Sequence, residues 1–175
     1  MQTTLEIAAL RSSPATIAAL SDLLIETVAC GGSVSFMHPL DPEVAAAFWT
    51  RSLAAADAGE RVVLGAMEDG ELVGTVTLLL DLPPNQPHRG EIAKMMTRVR
   101  CRGRGVATAL MYEAERIARQ RGRILLTLDT ASEEGAGPFY EKLGFTRVGV
   151  IPDYAYKPHG GLCGTIIYFK RIDHT

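Results

Sequence analysis

The amino-acid sequence predicts an α/β (α+β) fold, a mixed sheet with helices on both faces. Three observations lead there. Strand-like and helical patterns follow one another in the order β-α-α-β-β-β-α-β-α-β-β. Two runs rich in β-branched residues and leucine, Val62–Met67 and Leu72–Leu80, flank Glu68-Asp69-Gly70-Glu71, the turn of a hairpin. Ile124–Leu128 is a short, continuous apolar run, as expected of a strand covered on both faces. The chain has 175 residues, 47% of them apolar, which suits one domain over residues 1–175 with a real core.

Each element has its own signal. Leu5–Leu10 reads as a strand. Pro14 opens a helix whose Ile17, Leu20, Leu24 and Val28 keep helical spacing, and Gly31-Gly32 ends it. Ser33–Leu40 reads as a loop. Asp41-Pro42 supplies an N-cap and first turn for a helix through Val44, Phe48 and Leu53, stopped at Gly59. After the hairpin, Pro83–Pro87 is a surface loop and Glu91–Thr97 a strand. Val106, Leu110, Ala114, Ile117 and Ala118 form one apolar stripe on a helix that ends at Gly122. Pro138–Leu143 reads as a short helix closed by Gly144. Phe145–Ile151 and Thr165–Phe169 read as two last strands, joined by a loop over Pro152–Gly164.

Composition narrows the partners. The net charge of −2 gives no reason to expect nucleic acid or an anionic membrane. Cys30, Cys101 and Cys163 show no C-x-x-C spacing, so neither a disulfide framework nor a cysteine-only zinc site is expected. No apolar run is long enough to span a bilayer, and the N-terminus lacks a signal pattern. A cytoplasmic protein is the expectation, with monomer and homodimer both open.

One stretch carries chemistry. Arg102-Gly103-Arg104-Gly105 lies between a strand and a helix, within a segment holding Arg98 and Arg100 and no acid between Ile92 and Tyr112. Two glycines let the backbone turn sharply, and the helix start behind them offers unpaired N–H groups and a positive dipole end. The result is an anion cradle suited to a pyrophosphate. A dinucleotide fingerprint is one reading, with Asp129 as the ribose acid. However, Thr108 stands at the third glycine position, and antiparallel strands precede the unit.

A second reading explains more residues. Arg102-Gly103-Arg104-Gly105-Val106-Ala107 resembles the R/Q-x-x-G-x-G/A acetyl-CoA motif of the GNAT superfamily of N-acetyltransferases. Downstream, Phe139-Tyr140-Glu141-Lys142-Leu143-Gly144-Phe145 resembles that superfamily's late F-Y-x-x-x-G-F signature. Glu26-Thr27-Val28, Gly32–Met37, Leu125–Thr130, Thr146–Gly149 and Tyr168-Phe169-Lys170 are similar to the tabtoxin-resistance type. Three positions depart: Val99 stands where many members have proline, Glu133 where many have asparagine, and Pro138 where many are already helical.

The resemblance implies a mostly antiparallel, twisted sheet of about seven strands, splayed between strands 4 and 5, with about four helices on both faces. It also implies acetyl-CoA as co-substrate and no metal. Backbone amides of Arg102, Gly103, Arg104, Gly105, Val106, Ala107 and Thr108 would hold the pyrophosphate, an anion nest in physical terms. Met95, Met96 and Thr97 would pair with the pantetheine and point an N–H at the thioester oxygen, a donor whose loss costs about 3 kcal/mol. Tyr140 would face the sulfur as general acid.

An ammonium acceptor must first lose a proton, which costs a lysine-like amine roughly 4–5 kcal/mol at pH 7. Glu91 and Asp129 are the candidates to receive it, through water. Phe36, Met37 and Tyr154 are expected on the acceptor side, with His38, Asp153, Tyr156 and His159 as further loop candidates. Trp49 reads as packing. The expected activity is direct transfer of acetyl to a small-molecule primary amine, amino-acid-like or toxin-like. The alternatives are a protein or peptide N-acetyltransferase and a non-catalytic acyl-CoA sensor.

Overall fold

A computed structural model describes residues 4–172. Seven strands form one sheet in the order β1-β2-β3-β4-β5-β7-β6. They are β1 (Leu5–Ala9), β2 (Arg61–Glu68), β3 (Glu71–Leu79), β4 (Arg89–Thr97), β5 (Leu125–Ala131), β6 (Thr146–Tyr156) and β7 (Leu162–Arg171). The helices are α1 (Pro14–Ala29), α2 (Pro42–Asp57), α3 (Val106–Gln120) and α4 (Gly137–Lys142). All neighbouring strands are antiparallel except β4 and β5.

Strand alternation sorts the core into two layers. Val63, Leu72 and Met96 meet Leu20, Leu24, Trp49 and Leu53 of α1 and α2 on one face. Leu64, Val76, Leu78, Ile92, Leu126 and Leu128 meet α3 and α4 on the other, through Val106, Leu110, Ala114 and Tyr140. Caps hold the first two helices, the second as its sequence predicts. Ser13 Oγ accepts from Thr16 N at 3.0 Å, and Asp41 Oδ1 accepts from Glu43 N at 2.7 Å. The Asp69-Gly70 turn has φ of 50° and 81°, the left-handed pair of a two-residue hairpin.

Two features position the site. The parallel pairing of β4 with β5 ends at Glu91 opposite Thr127, and beyond it the two strands part. Within β4 the register shifts: Met96 faces Thr75 and Ala93 faces Thr77, leaving Lys94 and Met95 opposite Val76 alone. That bulge places Lys94 at φ 53° and sets Met95 and Met96 on opposite faces.

The structure corrects several boundaries. The expected loop over Pro152–Gly164 is mostly strand, because β6 and β7 pair again at Ala155–Cys163 and Tyr156–Leu162 after a bulge at Ile151. Pro152 is tolerated there because β6 is an edge strand and the bulge relieves pairing. Tyr154 and Tyr156 therefore project from a strand. Strand β5 runs to Ala131, so Asp129 lies inside it, and a 3₁₀ turn at Val99–Cys101 precedes the glycine loop.

Gly137 opens α4 against β7. A Cβ there would sit 2.6 Å from Tyr168 Oη, which itself donates to Glu141 Oε1 at 3.3 Å. Gly137→Ala must displace Tyr168 or the start of α4. The expected cost is about 1–3 kcal/mol, read in thermal unfolding as a fall of about 2–4 °C per kcal/mol.

Candidate active site

The parting of β4 and β5 opens a cleft of about 670 Å³. Its floor is the free edge of β4 from Ile92 to Thr97, which has no strand partner on the β5 side. Asp129, Thr130 and Ala131 of β5 line the opposing wall, and Phe139 and Tyr140 of α4 the back. The residues after α1, Gly32–Ser35, and Tyr154 and Tyr156 of β6 complete it.

At one end lies the loop Arg102–Gly105. Gly103 and Gly105 have φ of 74° and 84°, and a Cβ at either would meet nothing within 4 Å. Conformation, not crowding, therefore demands glycine, and the surface above them is open. Among the described residues, no N–H from Gly103 to Thr108 makes a close, well-aligned bond to a backbone acceptor, and Ala109 N to Gly105 O is the first bond of α3. Gly105 is the N-cap and supplies no side chain to satisfy them. Backbone donors without a close acceptor, in an open loop at a helix N-terminus, fit a pyrophosphate.

The arginines divide. Arg98 bonds Glu26 at 2.6 Å, Arg100 pairs with Glu71, and Arg104 grips both oxygens of Glu68, at 2.7 and 3.2 Å. Arg102 has no such partner among the described residues and lines the cleft. It is the arginine of the four that remains to meet a phosphate. The Arg98 contact and a bond from Val99 N hold the Glu26 carboxyl below its ordinary range against its burial.

Tyr140 is 6% exposed, yet its hydroxyl bonds to nothing among the described residues and borders the cleft. Phe139, Phe145 and Tyr168 pack around its ring at 5.0, 6.0 and 6.0 Å. Burial, with the Asp129 and Glu134 charges, pushes its pKa up to about 12. The group is a proton holder at any working pH.

The two carboxylates expected near the acceptor part company. Asp129 lines the cleft and accepts from Thr165 Oγ1 at 2.8 Å, which fixes one oxygen. Glu91 is not among the lining residues. It sits where β4 and β5 still pair, bonded to Arg89 Nη1 at 3.1 Å, and that same nitrogen donates to Thr127 Oγ1 at 2.6 Å. Phe36 and Met37 also lie outside the lining: Phe36 packs on Phe48 at 5.2 Å, and Met37 is 49% exposed. Tyr154 does line the cleft.

Two residues absent from the sequence expectations enter the site. Lys94 lines the cleft from the β4 bulge, donates to Ser35 Oγ at 3.0 Å and lies 5.7 Å over the Phe48 ring. Burial lowers its pKa, partly offset by Asp129. It has no carboxylate at ion-pair distance among the described residues. Glu134 lines the opposite wall and accepts from Ser33 N at 2.6 Å, and burial of the carboxyl raises its pKa despite that bond and Arg102. No local sequence pattern announces either role, since a bulge and a long-range bridge create them.

Residues 26–145 match the acetyltransferase (GNAT) family. The chain is 32% identical over 83 residues to N-alpha-acetyltransferase 30 of Schizosaccharomyces pombe, a match covering 47% of this chain and 55% of that protein. It thus spans about half the length of that curated relative. Among solved structures it superposes on an N-acetyltransferase of Staphylococcus aureus with a TM-score of 0.80 at 15% identity, covering 97% of this chain and 99% of that one. It also superposes on yncA of Salmonella typhimurium, solved with its cofactor acetyl-CoA, with a TM-score of 0.76 at 18% identity over 98% and 95% of the two chains.

Proposed function

Because the chain belongs to the acetyltransferase (GNAT) family, we propose that it moves acetyl from acetyl-CoA to the primary amine of a small molecule, by direct attack in a ternary complex. The observation that favours a small acceptor is the pair of bridges over the acceptor side. Ser33 N to Glu134 Oε1 ties the residues after α1 to the far wall. His38 N donates to Pro158 O at 2.9 Å and its ring stacks on His159 at 4.5 Å, tying the same loop to the β6–β7 turn. The first bridge joins two residues that line the cleft and narrows it against a long peptide. Similarity to the tabtoxin-resistance type supports the same acceptor class.

Acetyl-CoA supplies an activated acyl group and a thiolate leaving group. The chain's own residues do the rest. The N–H groups of Gly103–Thr108, with Arg102, bind the pyrophosphate. The free edge of β4 at Met95, Met96 and Thr97 orients the pantetheine and offers an N–H to the thioester oxygen. Asp129 accepts the acceptor's proton through water and steadies the positive charge that grows on nitrogen as the C–N bond forms. Tyr140 donates a hydrogen bond to the departing sulfur. Glu91, held by Arg89 and Thr127, braces the apex of the splay.

Lys94 sharpens the acceptor. An ammonium lining the cleft without a carboxylate of its own favours an amine that also carries an anionic group. Lys94→Met is expected to raise KM about tenfold or more for a carboxylate-bearing amine and to leave its neutral amide analogue unchanged. Equal effects on both would remove Lys94 from recognition.

The Schizosaccharomyces pombe relative favours a second reading, transfer to protein N-termini. Thiol release across a panel of small amines and N-terminal peptides separates the two. Small carboxylate-bearing amines with the higher kcat/KM support the first, and peptides with the higher value support the second. A cytoplasmic location goes with either reading. No helix among the described residues is long and apolar enough to cross a membrane.

A further inference from the structure

We propose that the protein carries a second ligand site, for a small organic dianion, at the end of the sheet away from the acetyl-transfer cleft. Arg61 opens β2 opposite Leu79, the end of β3 that also faces Glu91, whereas the cleft begins beyond Glu91 on β4. At Arg61 a groove of about 820 Å³ lies between the C-terminal ends of α2 and α3. Four arginines line it, Arg11, Arg61, Arg116 and Arg121, against one carboxylate, Asp57.

Their bonding is incomplete. Arg116 is neutralised by Glu113, with contacts of 2.6 and 2.8 Å. The side chains of Arg11 and Arg121 have no partner among the described residues. Arg61 reaches Ser52 Oγ at 3.4 Å through Nη1, but its Nε is buried with no acceptor. The negative ends of helices account for Arg116 and Arg121. They do not account for Arg11, in the turn after β1, or for Arg61, the first residue of β2.

Three guanidinium groups, Arg11, Arg61 and Arg121, with Asp57 as the one carboxylate lining the same groove, repel one another. A ligand bringing two negative charges offsets that repulsion. Guanidinium forks match phosphoryl or carboxylate oxygens in pairs. Leu10, Ala56 and Ile117, with buried Val62 and Val63 beneath, give the ligand's organic body an apolar seat. A groove of this size suits a small molecule.

The test is calorimetric titration of phenyl phosphate and inorganic phosphate into the full chain saturated with CoA, so that the Gly103–Thr108 loop is occupied. One additional site per chain is expected, tighter for phenyl phosphate. The double variant Arg11→Gln/Arg121→Gln is expected to bind at least about tenfold more weakly, with its ligand-free unfolding temperature within about 4 °C of the wild type. No binding to the wild type at millimolar ligand, or equal binding by the double variant, overturns the proposal. Should the chain fail to bind CoA, the same titration without it is read as the difference between wild type and the double variant, which leaves the Gly103–Thr108 loop intact.

Discussion

Asp129→Asn is expected to lower kcat/KM for the acceptor amine by about 10²–10³-fold while acetyl-CoA affinity stays within about twofold. The substitution keeps the shape and the acceptor atom that Thr165 Oγ1 holds at 2.8 Å, so it removes charge and basicity and little else. It strikes where the proton leaves and where the amine nitrogen turns positive. Glu91→Gln is the contrast. Glu91 lies outside the cleft lining and is bonded to Arg89, so the expected loss is about tenfold or less. Initial rates against amine for both variants decide it. A larger loss at Glu91 would reverse the assignment of the base.

Tyr140→Phe is expected to lower kcat about 10²-fold with KM for both substrates nearly unchanged. Its hydroxyl has no partner in the described protein, so thermal stability is expected to move by no more than about 0.5 kcal/mol. The pKa matters to the step. At about 12 for Tyr140 against about 8.5 for a thiol, full proton transfer to the thiolate is uphill by roughly 5 kcal/mol. The hydroxyl therefore donates a hydrogen bond as the C–S bond breaks, and the thiolate takes its proton from water. Because the folded-state pKa is raised, Tyr140 stays protonated through pH 10, and activity lost on the alkaline side below that is not its ionisation. Unchanged kcat in the phenylalanine variant would show that the sulfur leaves without it.

What the sequence disclosed was local. The Asp69-Gly70 turn, the Asp41 cap, the glycine loop and the apolar stripe of α3 each follow from neighbouring residues, and the chain folds accordingly. What it concealed depends on partners far along the chain. Arg98, Arg100, Arg102 and Arg104 look equivalent in a row, yet Glu26, Glu71 and Glu68 take three of them. Lys94 carries no signal of its own within the predicted strand Glu91–Thr97, and the β3–β4 register shift sets it into the cleft. Glu91 and Asp129 occupy comparable positions by pattern, and the point where β4 and β5 part separates them. Pro152 resembled a chain break only because an edge strand with a bulge cannot be told from a loop by pattern.

The most direct test of the central claim counts products. With acetyl-CoA and a carboxylate-bearing primary amine, CoA thiol and N-acetylated amine should appear one for one, and double-reciprocal plots at several amine concentrations should intersect. Thiol release that does not depend on any amine, or parallel lines showing an acetylated enzyme between two half-reactions, would contradict direct transfer in the cleft between β4 and β5.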